Sequence, residues 1–322
     1  LQILPSPEPD SCRLRADAFE RDLAITGLSP VEMASFFGAA QARPDPELLA
    51  ARGPISARLD QDEPIDTGGD RLAAHRAEGL NDGQALLASG QPGQARLHAA
   101  FPSDRLLPGP LNLLLAQQWA RQGLFPLHAA ALRWGGHGVL ILGGQGSGKS
   151  SLILAALAQG AAVISDDWLL VGSVRSEARA ERLRRFLMFR PGASWDRFGP
   201  GLADAYPLRA SNDGRFVHAI EQANPAFPEW TRLDRCVVLG PPDGPRPGLT
   251  TLDGTDQARL LAALIDAAMP ILMTARFPVE RALLFDRFKA LSQQLPVMAA
   301  TTGLDLLTEP RSVLERLSSD PG

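Results

Sequence analysis

Apolar runs and their spacing make one part of the chain legible and leave the start ambiguous. Val139–Leu142 is an unbroken apolar run and predicts a buried strand. A second run from Leu152 to Ala158 is long enough for a helix, and Gly160 closes it. Ala161–Ser165 predicts another short strand, ending on Asp166 and Asp167. Upstream, Leu111–Gln122 has apolar residues at helical spacing, with Trp119 on the apolar side and Gly123 as its cap. Pro126–Trp134 reads as one strand, Gly135-Gly136-His137-Gly138 as a tight turn, and Val139–Leu142 as the returning strand of a hairpin.

Downstream, Trp168–Val171 continues as strand. Arg175–Arg185 is charged and helix-compatible, and Phe186–Phe189 is a short apolar run turned by Arg190-Pro191-Gly192. Residues 191–230 are rich in Pro, Gly, Asp and Trp and read mostly as loop. Then come a buried strand at Arg235–Leu239, a loop at Pro241–Pro247 and an amphipathic helix at Thr255–Ala268 ended by Pro270. Helix over Arg276–Gln294, a strand at Leu295–Met298 and a helix at Glu309–Leu317 complete the pattern. Strands alternating with helices predict an α/β fold.

Residues 1–105 carry no such clear period. Pro5, Pro7 and Pro9 predict an extended start, Asp17–Ile25 and Pro30–Ala42 have helical spacing, and turns are expected at Pro44-Asp45-Pro46, Asp66–Asp70 and Asn81-Asp82-Gly83. This is read as a small N-terminal α+β domain or an irregular extension, serving recognition or assembly. His75 and His98 stand isolated and read as surface or core residues. Pro108 and Pro110 mark a boundary, which gives domains of 1–105 and 106–322.

Composition narrows the partners. The 322 residues are 45% hydrophobic and 21% charged, with a net charge of −4, the balance of a globular domain without a nucleic-acid or anionic-membrane partner. Cys12 and Cys236 have no metal or redox spacing, no apolar run approaches the about 20 residues of a membrane span, and Leu1–Pro7 has no signal-peptide core. A cytoplasmic setting is the expectation. Lys149 and Lys289 are the only lysines beside many arginines. Keeping a lysine at 149 suits a compact ammonium working between phosphate oxygens.

Gly143-Gly144-Gln145-Gly146-Ser147-Gly148-Lys149-Ser150, followed by Ser151, fits the G-x-x-x-x-G-K-[ST] pattern of a P-loop. In such a loop successive backbone N–H groups converge at a helix N-terminus, where the dipole favours an anion. Gly143 to Ser151 are therefore the expected nucleotide-binding residues, with Lys149 on the outer phosphates and Ser150 on Mg²⁺. In a strand–helix–strand unit the second strand lies parallel and close to the first, so Asp166 and Asp167 come to the phosphate side. One would bind Mg²⁺ and the other would take a proton from an attacking hydroxyl.

These residues together resemble the HPr kinase/phosphorylase family of P-loop serine kinases, whose nucleotide core is similar to that of ATP-dependent phosphoenolpyruvate carboxykinase. His128 stands fifteen residues before Gly143, Gly138-Val139-Leu140-Ile141-Leu142-Gly143 leads into the loop, and Gly160 precedes the apolar residues and Asp166-Asp167, each at the family's spacing. The resemblance implies a kinase domain of that type with a mixed sheet. It also implies ATP and Mg²⁺, a general base at Asp167 or Asp166 with His128 beside it, and a homo-oligomer. Leu127-His128-Ala129-Ala130-Ala131 in place of the family's usual His-Gly resembles a divergent branch, some members of which are similar to kinases that phosphorylate a serine on a biosynthetic precursor peptide.

One family feature is missing. The metal-holding glutamate expected about twenty-five residues beyond the aspartates has no counterpart near Arg190-Pro191-Gly192. That argues against HPr as the acceptor and against a phosphorylase reaction. Arg190, and more weakly Arg215 and Arg235, are candidates to stabilise the transferring phosphate. The expected activity is phosphoryl transfer to a serine or threonine of a peptide or protein. The alternatives are a small-molecule alcohol or amino-acid kinase, a nucleotide-driven ATPase switch, and a degenerate nucleotide binder.

Overall fold

The computed structural model describes residues 2–5, 11–26, 55–60, 75–76, 86–91, 94–99, 119, 122–210, 214–220, 224–240, 249–251, 257–272, 278–301, 303 and 305–318. The chain divides into two compact units, Leu1–Leu124 and Phe125–Gly322. The expected helix Pro30–Ala42 and the three turns between residues 44 and 83 lie outside the described residues, as do the loop at Pro241–Pro247 and most of Leu111–Gln122; Trp119 is helical.

The described part of the first unit is a seven-stranded sheet. Its strands are β1 (Gln2–Pro5), β2 (Ser11–Ala16), β3 (Arg21–Thr26), β4 (Ile55–Asp60), β5 (His75–Arg76), β6 (Leu86–Gln91) and β7 (Gln94–Ala99), in the order β1-β2-β3-β4-β7-β6-β5. Every neighbouring pair is antiparallel. Asp17–Ile25, expected as helix, is instead a single 3₁₀ turn at Asp17–Phe19 leading into β3. Residues 16 and 21 pair across that turn, so a hairpin ladder overrides the helical spacing.

The second unit is mixed α/β. Its strands are β8 (Phe125–His128), β9 (Ala130–Trp134), β10 (His137–Gly143), β11 (Ala162–Ser165), β12 (Trp168–Val174), β13 (Glu177–Arg182), β14 (Phe186–Phe189), β15 (Arg209–Ala210), β16 (Phe216–Ala219), β17 (Trp230–Arg232), β18 (Arg235–Leu239), β19 (Leu249–Thr251) and β20 (Val297–Ala300). Its helices are α1 (Lys149–Ala158), α2 (Ala193–Ala205), α3 (Gln257–Leu272), α4 (Pro278–Gln294), α5 (Asp305–Thr308) and α6 (Pro310–Ser318).

The central sheet runs β11-β9-β10-β18-β20-β19 and is mixed: β10, β18 and β20 are parallel, while β9, β11 and β19 are joined by antiparallel pairings. A four-stranded sheet, β17-β13-β12-β8, and a three-stranded sheet, β14-β16-β15, flank it. Pro126–Trp134 is therefore two strands in two sheets, separated at Ala129, rather than one. The turn at Gly135-Gly136 has φ of +57° and +88°, the two left-handed positions of a primed hairpin turn, which glycine adopts without strain.

Helix α1 is buried nearly all round. Leu152, Ile153, Leu154, Ala155, Ala156 and Leu157 join Val139 and Ile141 of β10 in one core with Leu187, Phe189, Phe198, Leu202, Leu314 and Leu317. Leu140 and Leu142 alternate to the other face of β10 and are equally buried. Helix α3 packs against β8 and β10, and buries Leu260, Leu264, Ala267 and Ala268 along one stripe. No helix among the described residues is long and apolar enough to cross a membrane.

Three further expectations are corrected. Arg175–Arg185 is not a helix: Arg175 and Ser176 take a turn with φ of +49° and +68°, and Glu177–Arg182 is the hairpin strand β13. Pairing on both edges, to β12 and β17, outweighs helix-compatible composition there. Residues 191–230 hold a helix and three short strands instead of loop. Gly199-Pro200-Gly201 disguises α2 in the sequence, yet Phe198 and Leu202 anchor it, and Gly199 leaves room for the Trp195 ring, which a Cβ would meet at 2.6 Å. Helix α3 continues past Pro270 to Leu272, so Pro270 lies inside the last turn, where it leaves the residue-266 carbonyl without its helical N–H donor.

Candidate functional site

The glycine-rich loop links the end of β10 to the start of α1 in the middle of the central sheet. Gly143 has φ +153°, and a Cβ there would lie 2.5 Å from Ser147 Oγ and 2.8 Å from the Leu239 carbonyl oxygen. Only glycine fits that approach. Gly148, with φ +95°, is the N-cap of α1, and no side chain caps the helix. Gly144, Gln145 and Gly146 are exposed, and the space around Gly144 and Gly146 is open where a Cβ would stand. The loop thus presents a helix N-terminus to open space, an arrangement suited to an anion such as a phosphate group.

Lys149 is buried, and its ammonium donates to the carbonyls of Gly143 at 2.6 Å and Gly144 at 3.1 Å. Burial holds its pKa below the usual lysine value, with the Asp167 carboxylate opposing that shift. Ser147 is buried, Ser151 half-buried and Ser150 exposed at the first turn of α1. Helix α1 ends in a Schellman arrangement: Gly160 has φ +84°, its N–H reaches the Leu157 carbonyl, and the Ala161 N–H reaches that of Ala156, each at 3.0 Å. That sharp stop turns the chain straight into β11.

Strand β11 is parallel to β10 but not adjacent, since β9 lies between them. At its end the chain leaves the central sheet through Asp166 and Asp167 and enters the flanking sheet as β12. The preceding strands make the same exchange at Ala129. Ser165 pairs with Ala131 in one sheet, and Trp168 pairs with His128 in the other. Two chain segments therefore cross between sheets side by side, which brings His128 against the aspartates. Ser165 Oγ fixes the bend by donating to the Trp168 carbonyl at 3.0 Å and accepting from the Asp167 N–H at 3.3 Å.

The two aspartates separate in environment. Asp166 is buried, and its Oδ2 accepts from the Met188 N–H of β14 at 2.9 Å. Burial pushes its pKa up to about 7, against the lowering effect of that hydrogen bond. Asp167 is partly exposed: His128 Nε2 donates to its Oδ1 at 2.8 Å, and Arg184 Nη1 donates to its Oδ2 at 2.7 Å. Burial works to raise its pKa, but His128, Arg184 and Lys149 together hold it below the ordinary carboxylate range.

The structure thus gathers His128, Asp167, Asp166 and Lys149 at the ends of β8, β11 and β10. It does not gather all the arginine candidates. Arg235 is buried on β18 opposite Val139, toward the start of β10 and away from the loop, which pairs through Leu239 with Gly143. Arg190 is exposed between β14 and α2. Arg215 is half-buried, with Nη1 3.2 Å from Met188 Sδ. Arg184 was not expected from the sequence. It sits in the run Arg182-Leu183-Arg184-Arg185, and nothing in that run separates it from Arg182, which bonds the Phe227 carbonyl, or Arg185, which pairs with Glu229.

The oxygen donors beside the loop are of the type that Mg²⁺ takes. Mg²⁺ retains waters and takes few protein ligands beside the phosphates. Ser150, Asp166 and Asp167 would supply such a set. Among the described residues no group of three or more His, Cys, Asp or Glu side chains forms a denser metal site.

No family model matches this chain, and no curated protein matches it by sequence. Among solved structures, the HPr(Ser) kinase/phosphatase from Coxiella burnetii is similar over 60% of this chain and 99% of that one, at 14% identity and a TM-score of 0.30. A likeness that distant carries no weight for the site, which stands on its own geometry.

Proposed function

We propose that this chain is an ATP-dependent, HPr-kinase-like phosphotransferase that passes the γ-phosphate to a serine or threonine hydroxyl of a peptide or protein other than HPr. One observation carries the reading: a carboxylate, Asp167, held on both oxygens by His128 and Arg184 within electrostatic reach of Lys149 at a glycine-rich loop.

The N–H groups from Gly143 to Ser151 cradle the phosphates, and Lys149 turns from the Gly143 and Gly144 carbonyls toward the outer ones. Ser150 and Asp166 would hold Mg²⁺, which would supply charge neutralisation for the phosphates. Asp167 orients the acceptor hydroxyl and takes its proton as the new O–P bond forms. The bond from the γ-phosphorus to its bridging oxygen breaks, and ADP leaves with the electron pair. His128 keeps the carboxylate aimed and ionised. Asp166, buried and tied to β14, serves the metal side of the site and stiffens the bend.

The test is incubation with labelled ATP, Mg²⁺ and the peptide products of neighbouring genes, followed by mass spectrometry of the labelled species. The expected result is a phosphoserine or phosphothreonine. Asp167→Asn should slow transfer by about a hundredfold or more while nucleotide still raises the melting temperature. Transfer by Asp167→Asn at the wild-type rate would remove this carboxylate from the role of base.

A further inference from the structure

Strand β12 lies between β8 and β13 in its sheet, so Trp168, its first residue, is flanked by both segments that hold Asp167. On one side Trp168 pairs with His128, and the two rings stand 5.7 Å apart, tilted by 41°. On the other side the Leu183 N–H donates to the Trp168 carbonyl at 3.2 Å, and Arg184 follows. The Arg184 guanidinium stands 5.7 Å from the centre of the indole and 5.5 Å from that of the Phe186 ring. One half-buried indole therefore packs on both groups that hold the Asp167 oxygens, His128 on Oδ1 and Arg184 on Oδ2.

We propose that Trp168 is a positioning residue of the transfer site: its indole fixes the rotamers of His128 and Arg184 together, and through them the direction of the Asp167 carboxylate. The proposal rests on the kinase reading above and adds to that site a residue that acts through two others. The His128 and Arg184 side chains are 34% and 30% exposed, so burial alone does not select one rotamer for either. The tilted ring contact limits the imidazole, and a guanidinium over two aromatic rings keeps its charge while losing freedom. A carboxylate held by one partner can pivot about that hydrogen bond; held on both oxygens, it has a single direction. Trp168 stands where one side chain serves both partners, so a change there acts on the two at once. The bend itself does not need the indole. Ser165 Oγ holds it through the Trp168 carbonyl and the Asp167 N–H, both backbone groups.

The experiment uses the full chain, Trp168→Leu, which removes the aromatic face, and Trp168→Phe, which restores one. In the wild-type chain without nucleotide, NMR should show Overhauser contacts from the indole protons to the His128 ring and to the Arg184 side chain. The His128 Nε2–H signal, identified by its loss in His128→Ala, should exchange with water about tenfold faster in Trp168→Leu and near the wild-type rate in Trp168→Phe. With labelled ATP and the peptide products of neighbouring genes, Trp168→Leu should lower kcat by about tenfold to a hundredfold. The KM for ATP and the nucleotide-induced melting shift should stay as in wild type, and Trp168→Phe should recover most of the rate. In a His128→Ala, Arg184→Gln background the same Leu substitution should cost nothing further, whereas a purely structural role would still slow transfer there. Circular dichroism reports that each variant folds; should Trp168→Leu not fold, the wild-type contacts and the Phe variant decide. Missing contacts in wild type, unchanged exchange in Trp168→Leu, or an equal loss of rate in both backgrounds overturns the proposal. Contacts and exchange as described, without phosphate transfer by the wild-type chain, leave Trp168 in its place and remove the kinase reading; transfer indifferent to Trp168→Leu does the reverse.

Discussion

His128 Nε2 lies 2.8 Å from Asp167 Oδ1 because β8 and β12 pair His128 directly with Trp168. The contact is a product of strand register. A one-residue slip of β8 would carry the imidazole to the other side of its sheet. The same register holds the ring 5.7 Å from that of Trp168, which limits its rotation.

Removing the imidazole should therefore cost aim before it costs charge. His128→Ala should lower the rate of transfer by up to about a hundredfold, less than Asp167→Asn, with the KM for ATP little changed. Steady-state kinetics of both variants and of the double variant check this. Residues acting as one unit give a double variant close to Asp167→Asn alone.

Arg184 and His128 both depress the Asp167 pKa against the opposing effect of burial. In Arg184→Gln one of those cations is gone, so the carboxyl should titrate at higher pH. The acid limb of the pH–rate profile should move upward in the same direction. Arg184→Lys, which keeps a charge but loses the fork, should move it less. An NMR titration of the Asp167 carboxyl carbon measures the shift directly, and an unmoved titration would show that Arg184 does not govern this group.

Asp166 gives the opposite dependence. Its folded-state pKa of about 7 lies above the ordinary carboxylate value of about 3.9, so the folded chain holds that proton more tightly than the unfolded chain. Its contribution is fully present below the unfolded value and is lost as pH rises toward and through about 7. In metal-free protein the melting temperature should fall over that window. Asp166→Asn, which still accepts from the Met188 N–H, should flatten the fall. Asp167 acts in reverse, its stabilisation fading as pH drops through its depressed value, and Asp166→Asn leaves that limb in view.

Two neighbouring glycines should respond differently. Gly143→Ala meets Ser147 Oγ and the Leu239 carbonyl and needs a φ that alanine resists, so a loss of about 1–3 kcal/mol and weak nucleotide binding are expected. Gly144→Ala meets open space and should leave the melting temperature nearly unchanged without nucleotide. Thermal melts with and without ATP separate steric from binding effects.

Much of the site was legible in the chain. The apolar runs at Val139–Leu142 and Ala161–Ile164, the glycines between and after them, and the Asp166-Asp167 pair each carry a local reason for their structure, and the fold places them as strand, loop, helix and strand. The helix beginning near Glu309 and the strand at Arg235–Leu239 follow from the same kind of signal. Arg184 was not legible, because its value depends on which of several arginines meets a carboxylate across a sheet boundary. Strand β13 and helix α2 were misread for a related reason: their local composition points one way and their pairing or packing partners another.

The sequence by itself determined that a glycine-rich turn joins a buried strand to an apolar helix, since φ angles open to glycine and burial of contiguous apolar residues are local properties. Only the tertiary structure decided that two segments change sheets side by side. That crossing joins His128 and Arg184 to opposite oxygens of Asp167 and leaves Asp166 buried against Met188, because backbone register and burial, which assign each carboxylate its partners, exist only once the strands have paired.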